Sequence, residues 1–200
     1  MSALSDINQE IARCQLCAIA RTRTRAVPGE GPEDAEIMFV GEAPGWHEDQ
    51  QGRPFVGPAG KYLEQLLALI GLKREQVYIA NVIKTRPPGN RDPLPSEIAN
   101  CRPWLERQIE IIRPRMIVTL GRYSMAMFFP GKTISKIHGT AQKRDGVIYF
   151  AMYHPAAALH QQSLRPAIET DMRQIPALLA EVKTMAETEA PVQQLSMFED

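Results

Sequence analysis

The pentapeptide Gly41-Glu42-Ala43-Pro44-Gly45 is followed within fifteen residues by Glu48 and Asp49, and then by the run Gly52-Arg53-Pro54-Phe55-Val56-Gly57-Pro58-Ala59-Gly60. Acids, an arginine and an aromatic ring are thereby gathered on one stretch that feeds a helix. Carboxylates can orient water or carry a proton, and the first free N–H groups of a helix, at the positive end of its dipole, suit a phosphate or a developing anion. The plainer reading of the glycines is a tight turn that satisfies backbone geometry. A second grouping is Cys14-x-x-Cys17, with Cys101 further along. Such a pair can place two thiolates on one metal, whereas an odd number of cysteines in a reducing compartment argues against structural disulfides.

The elements that must position these residues can be read from periodicity. Ala35 to Val40, Val77 to Ile83, Met116 to Leu120 and Val147 to Tyr153 are short apolar runs with the character of buried strands. Helical patterns fall between them. Leu63, Leu66, Leu67 and Ile70 share a face before Gly71. After Pro95 come Ile98, Cys101, Leu105, Ile109 and Ile112, up to Pro114. A third helix starts near Gly121, and a fourth spans about Pro166 to Met185. This alternation predicts an α/β fold, a three-layer α/β/α sandwich with a central four-stranded, mostly parallel sheet. Ligands of such sheets bind beyond the carboxyl ends of the strands. There the chain places Gly41 to Gly45, the stretch Lys84-Thr85-Arg86-Pro87-Pro88-Gly89-Asn90-Arg91, and His154-Pro155-Ala156-Ala157.

With 200 residues, 44% hydrophobic and 23% charged, one domain with a full core is expected, over residues 1–186, followed by a flexible tail over 187–200. The 23 basic and 23 acidic residues cancel, so only their distribution speaks to a polyanionic partner. Arg13, Arg21, Arg23 and Arg25 crowd the first segment and Lys84, Arg86 and Arg91 the middle, which suits a basic face on a neutral protein. No apolar run approaches the ~18 residues of a membrane span, and Met-Ser-Ala-Leu-Ser-Asp lacks the pattern of a secretory signal, so a cytoplasmic monomer is the expectation. The glycine loops match neither the P-loop nor the dinucleotide fingerprint.

Taken in order, Cys14-x-x-Cys17, Gly-Glu-Ala-Pro-Gly at 41 to 45, Gly-Arg-Pro-Phe-Val-Gly at 52 to 57, Asn-Val-Ile-Lys at 81 to 84, Arg-Pro-Pro-Gly-Asn-Arg at 86 to 91 and Tyr-His-Pro-Ala at 153 to 156 closely resemble the fourth family of uracil-DNA glycosylases, which carry a 4Fe-4S cluster. The resemblance implies hydrolysis of the N-glycosidic bond of uracil in DNA, the first step of base excision repair. It implies Glu42, Glu48, His154 and Asn90 as catalytic residues, His154 as a donor toward uracil O2, and one of the two glutamates as orienting water while the other excludes thymine. Ala43, Phe55 and Asn81 would line the base pocket, Phe55 as a stacking plate and Asn81 as reader of the uracil edge. Arg53, Lys84, Arg86, Arg91 and Arg165 would face DNA. Ala43 stands where many relatives carry an aspartate.

The same resemblance implies Cys14, Cys17 and Cys101 as cluster ligands. The chain departs from the pattern at Thr85, where a further cysteine is expected between Lys84 and Arg86. That departure keeps open an alternative, a non-catalytic damage-binding or iron-sulphur sensor module on the same fold. Gln194-Leu195-Ser196-Met197-Phe198 resembles the short peptide by which bacterial repair proteins dock on the sliding clamp, with Gln194, Leu195, Met197 and Phe198 as anchors.

Overall fold

The computed structural model describes residues 2–189. Its sheet contains β1 (Ile37–Gly41), β2 (Tyr78–Asn81), β3 (Met116–Leu120), β4 (Thr140–Arg144) and β5 (Val147–Met152), in the order β2-β1-β3-β5-β4. β1, β2, β3 and β5 are mutually parallel, and β4 pairs antiparallel with β5. The main helices are α1 (Ala3–Arg13), α2 (Trp46–Gln51), α3 (Pro58–Leu69), α4 (Pro95–Ile112), α5 (Arg122–Phe128), α6 (Ile134–Ile137), α7 (Pro155–His160) and α8 (Arg165–Glu189).

The strands β1, β2 and β3 are buried on both faces, which is why they read as unbroken apolar runs rather than as alternating ones. Alternate residues nevertheless serve different layers. Ile37 and Phe39 join Leu63, Leu66 and Leu67 of α3 and Ile168, Met172 and Ile175 of α8 in one cluster. Met38 and Val40 join Leu4, Ile7 and Ile11 of α1 and Leu105 and Ile112 of α4 in the other. Two helical layers thus sandwich the sheet.

The sheet has five strands, not the four expected. The fifth, β4, is exposed along its whole length. Thr-Ala-Gln-Lys-Arg carries no apolar alternation, so periodicity passes over it. It is held instead by the Asp145-Gly146 turn, both residues at positive φ (51° and 76°), and by Arg144, whose guanidinium lies 4.3 Å above the Tyr149 ring. Among the described residues no helix is long and apolar enough to cross a membrane.

Candidate active site

β1 and β2 are neighbours in register, with Gly41 opposite Asn81, and β5 delivers Tyr153 and His154 two strands away. Beyond these ends lies a hollow of about 180 Å³ whose wall includes Ala43, Gly45, Glu48, Phe55, Asn81 and His154. It adjoins an open groove of about 520 Å³ bordered by Glu42, Asn90, Arg91, Asp92 and His160. A wider depression of about 640 Å³ runs from Asp6 to Trp104 between α1 and α4. It shares no lining residue with the inner hollow.

Asn81 is 2% exposed, and its buried Oδ1 has no hydrogen-bond partner among the described residues. An orphaned buried acceptor costs about 1–3 kcal/mol. The hollow is therefore built to receive a donor. A Cβ on Gly41 would collide with both Asn81 Oδ1 and the Phe55 ring, so only glycine lets strand, amide and ring meet there.

Phe55 is 5% exposed and adopts φ 51°, a left-handed conformation disfavoured for a bulky residue. Arg74, a buried residue, holds it there: Nη1 donates to Phe55 O at 2.8 Å and Nη2 donates to Pro54 O. Arg74 in turn pairs with Glu30 at 3.3 Å, and Glu30 is also forked by Arg53 at 2.7 and 2.9 Å. Gly60, at the start of α3, has no room for a Cβ because Phe55 O occupies the space.

Phe55 and His154 stack at 5.5 Å between centroids with 24° between planes. The Nδ1 of His154 accepts from the Ala156 N–H at 3.1 Å, capping α7. In the neutral ring the proton must then sit on Nε2, which is left as a donor. Although His154 keeps some surface open to both cavities, the surrounding protein pushes its pKa down to about 4, opposed by the nearby Glu48 charge. The imidazole is neutral at pH 7.

The two glutamates part company. Glu48 Oε1 accepts from Val56 N at 2.9 Å and Gly57 N at 2.8 Å, and Oε2 accepts from Gly45 N at 3.1 Å. Its carboxylate clasps the Gly45 turn to the Phe55 loop. Only the Glu48 half of a capping box is present, because Gly45 has no side chain to return the bond. Glu42 faces the groove, and none of the hydrogen bonds or ion pairs among the described residues uses its carboxyl. Burial, and secondarily the Asp92 charge, raise its pKa, while Arg122 opposes them.

Asn90, at φ 55°, accepts from Arg86 Nε at 2.6 Å on the far wall of the groove. Arg91 forks Glu97 at 2.6 and 2.9 Å, and the Arg165 guanidinium stands 4.8 Å over the Tyr62 ring. Lys84 corrects an expectation. It is 2% exposed, with Nζ donating to Asn81 O at 2.9 Å and Gln108 Oε1 at 2.7 Å, so no phosphate reaches it. Sequence reasoning missed Arg74 altogether, because Lys73-Arg74-Glu75-Gln76 has the composition of a solvated turn.

Cys14 and Cys17 flank the end of α1, and Cys101 is buried on α4. The three thiols are near enough that Cys14 and Cys17 each contribute to raising the Cys101 pKa, after burial as the first cause. Among the described residues they do not form a set that could hold one metal ion. Thiolates are the donor type that an iron-sulphur group takes, and Cys14, Cys17 and Cys101 supply three of the four it needs. The remaining position, Thr85, offers a hydroxyl that already accepts from Arg23 Nη1 at 3.0 Å, while Arg23 Nη2 donates to Ala12 O and Cys14 O at 2.8 and 2.9 Å. The anchors Gln194, Leu195, Met197 and Phe198 lie outside the described residues.

Residues 28–175 match the family model described as the uracil DNA glycosylase superfamily. The chain is 49% identical to a type-4 uracil-DNA glycosylase of Sulfurisphaera tokodaii, over 89% of this chain and 86% of the relative. It is 48% identical to the type-4 enzyme of Archaeoglobus fulgidus, over 89% and 94%. A type-5 uracil-DNA glycosylase of Pyrobaculum aerophilum is 34% identical, over 73% and 72%.

Proposed function

Because the chain belongs to the uracil DNA glycosylase superfamily, alongside its type-4 enzymes, we propose that it hydrolyses the N-glycosidic bond of uracil in DNA through the residues of the inner hollow. The observation that carries the reading is the pairing of an orphaned acceptor, Asn81 Oδ1, with a neutral Nε2–H donor, His154, in one hollow walled by Phe55. Uracil offers an N3–H to the first and an O2 to the second. Cytosine lacks the N3–H, and would leave the buried acceptor unpaired, the kind of mismatch on which polar sites discriminate most strongly.

Extruding the base from its stack costs a few kcal/mol, and stacking on Phe55 returns about 1–3 kcal/mol of it. As the bond from C1′ to N1 breaks, its electron pair moves onto the uracil, whose O2 accepts from His154. A donor aimed at developing charge is typically worth about 2.7–4 kcal/mol. Glu42, in the groove and without a side-chain hydrogen bond among the described residues, orients the water whose oxygen bonds to C1′ and takes up its proton. Glu48 acts through the loop it clasps, and Asn90 and Arg86 support the groove wall opposite. Ala43 leaves space where a larger side chain would narrow the passage between groove and hollow. The exposed Arg53, Arg91 and Arg165 and the half-buried Arg86 supply salt-dependent affinity for the backbone.

Cys14, Cys17 and Cys101 would hold an iron-sulphur cluster, which when bound supplies a cross-link between α1 and α4 rather than chemistry at the base. The abasic product would enter base excision repair in the cytoplasm, with residues 194 to 198 docking a sliding clamp. Pulldown on a bacterial clamp with and without those residues tests the latter, and equal recovery refutes it. The activity itself is tested by single-turnover release of free uracil from a labelled oligonucleotide. Release by wild type and a loss of about 100-fold or more in His154→Ala are expected. No release by wild type would leave only a binding module.

A further inference from the structure

The large apolar side chains that stand exposed among the described residues are Leu16, Trp46, Leu69, Leu94 and Leu159. Three of them stand on the segments that border the groove. Trp46 adjoins Gly45, which lines both hollow and groove. Leu94 lies two residues past Asp92, and Leu159 lies between the groove residues Ala157 and His160. Exposed apolar side chains concentrated around one opening mark a binding surface more than scattered ones do.

Trp46 is the largest of the three and is 52% exposed. It is also held in place. Its ring meets His47 edge-on, 5.1 Å between centroids at 87°, and a Cβ on Gly57, in the Phe55 loop, would lie only 3.1 Å from His47 Nδ1. On its other side, Gly45 is tied by its N–H to Glu48. An exposed indole on the residue next to Gly45, which lines both hollow and groove, is within reach of the base beside the extruded one. Every nucleobase has a π-face, so stacking of this kind tolerates any neighbour.

We propose that Trp46 is a nucleic-acid contact, stacking on a base adjacent to the extruded uracil and so holding the strand in register over the hollow. The inference rests on the glycosylase reading but needs no turnover to be tested. In a His154→Ala background, binding of a single-stranded oligonucleotide with one uracil is followed by tryptophan emission. Trp46 and Trp104 are the two tryptophans. Emission falls on binding, and Trp46→Phe in the same background abolishes the fall while retaining most of the affinity. Trp46→Ala raises the dissociation constant about 5- to 150-fold, the range of one lost base-aromatic stack, and leaves the binding of free uracil unchanged. Both variants alter an exposed side chain, and both keep the melting temperature of their His154→Ala parent. Unquenched emission, or an affinity in Trp46→Ala within twofold of its parent, overturns the proposal. Failure of wild type to release uracil would instead overturn the catalytic reading, and the emission result would still stand or fall by itself.

Discussion

Replacing Arg74 by Met removes the brace behind Phe55 while filling much of the same space. Two buried carbonyls, Pro54 O and Phe55 O, lose charged donors, and Glu30 keeps only Arg53. At about 1–3 kcal/mol for each orphaned carbonyl, the loss centres near 4 kcal/mol. For a domain of this size that lowers Tm by roughly 8 to 16 °C. The functional consequence is separable. A non-glycine residue in the left-handed region stores about 1–3 kcal/mol of strain and persists only where its surroundings impose it. Without the two hydrogen bonds Phe55 relaxes and the base loses its plate. Well below the melting temperature, KM for a uracil oligonucleotide should rise about 5- to 150-fold with kcat little changed. Arg74→Lys, whose single ammonium can serve one carbonyl at a time, should recover part of this. In a double-mutant cycle, Arg74→Met should add little to Phe55→Ala, giving a coupling of about 0.5–3 kcal/mol. Full additivity, or wild-type kcat/KM in folded Arg74→Met, would refute the idea that Arg74 acts through Phe55.

Stability should depend on pH through His154. Its folded pKa of about 4 lies below the ordinary 6.5, so below pH 6.5 the unfolded chain takes up a proton that the folded ring refuses. Folding stability then falls as the pH drops from about 6.5 to 4, by roughly 3 kcal/mol. Urea melts of wild type and His154→Gln should converge across that window, and parallel curves would show that the ring is not buried neutral. Asn81→Ala should lower kcat/KM for uracil about 10-fold or more while raising or leaving unchanged the melting temperature, since it deletes an orphaned acceptor; a large fall in Tm would mean that the amide is paired in the free protein. Thr85→Cys should raise iron and acid-labile sulphide per chain and deepen absorbance near 400 nm, an order-of-magnitude position for thiolate-to-iron bands. Unchanged iron would place the fourth corner elsewhere.

The four apolar strands and the long helices were legible because each element must bury its own pattern, and burial on both faces of β1, β2 and β3 shows in sequence as unbroken hydrophobicity. The convergence of Asn81, Phe55 and His154 was legible from order along the chain: Asn81 ends β2, His154 lies just past β5, and Phe55 sits in the glycine-punctuated loop between α2 and α3. β4 escaped because its side chains face solvent on a polar edge, where neither core nor period constrains them.

Local order determined which residues arrive at the carboxyl edge of the sheet, since a strand end and its following loop are contiguous in the chain. Tertiary structure alone decided their states. Arg74 and Lys84 read as surface charges until the fold closes over them, and Glu42 and Glu48 are the same residue type until three backbone N–H groups occupy one and leave the other open. Burial and hydrogen-bond partners are set by residues distant in sequence, and it is these that fix a pKa, a tautomer or a strained φ.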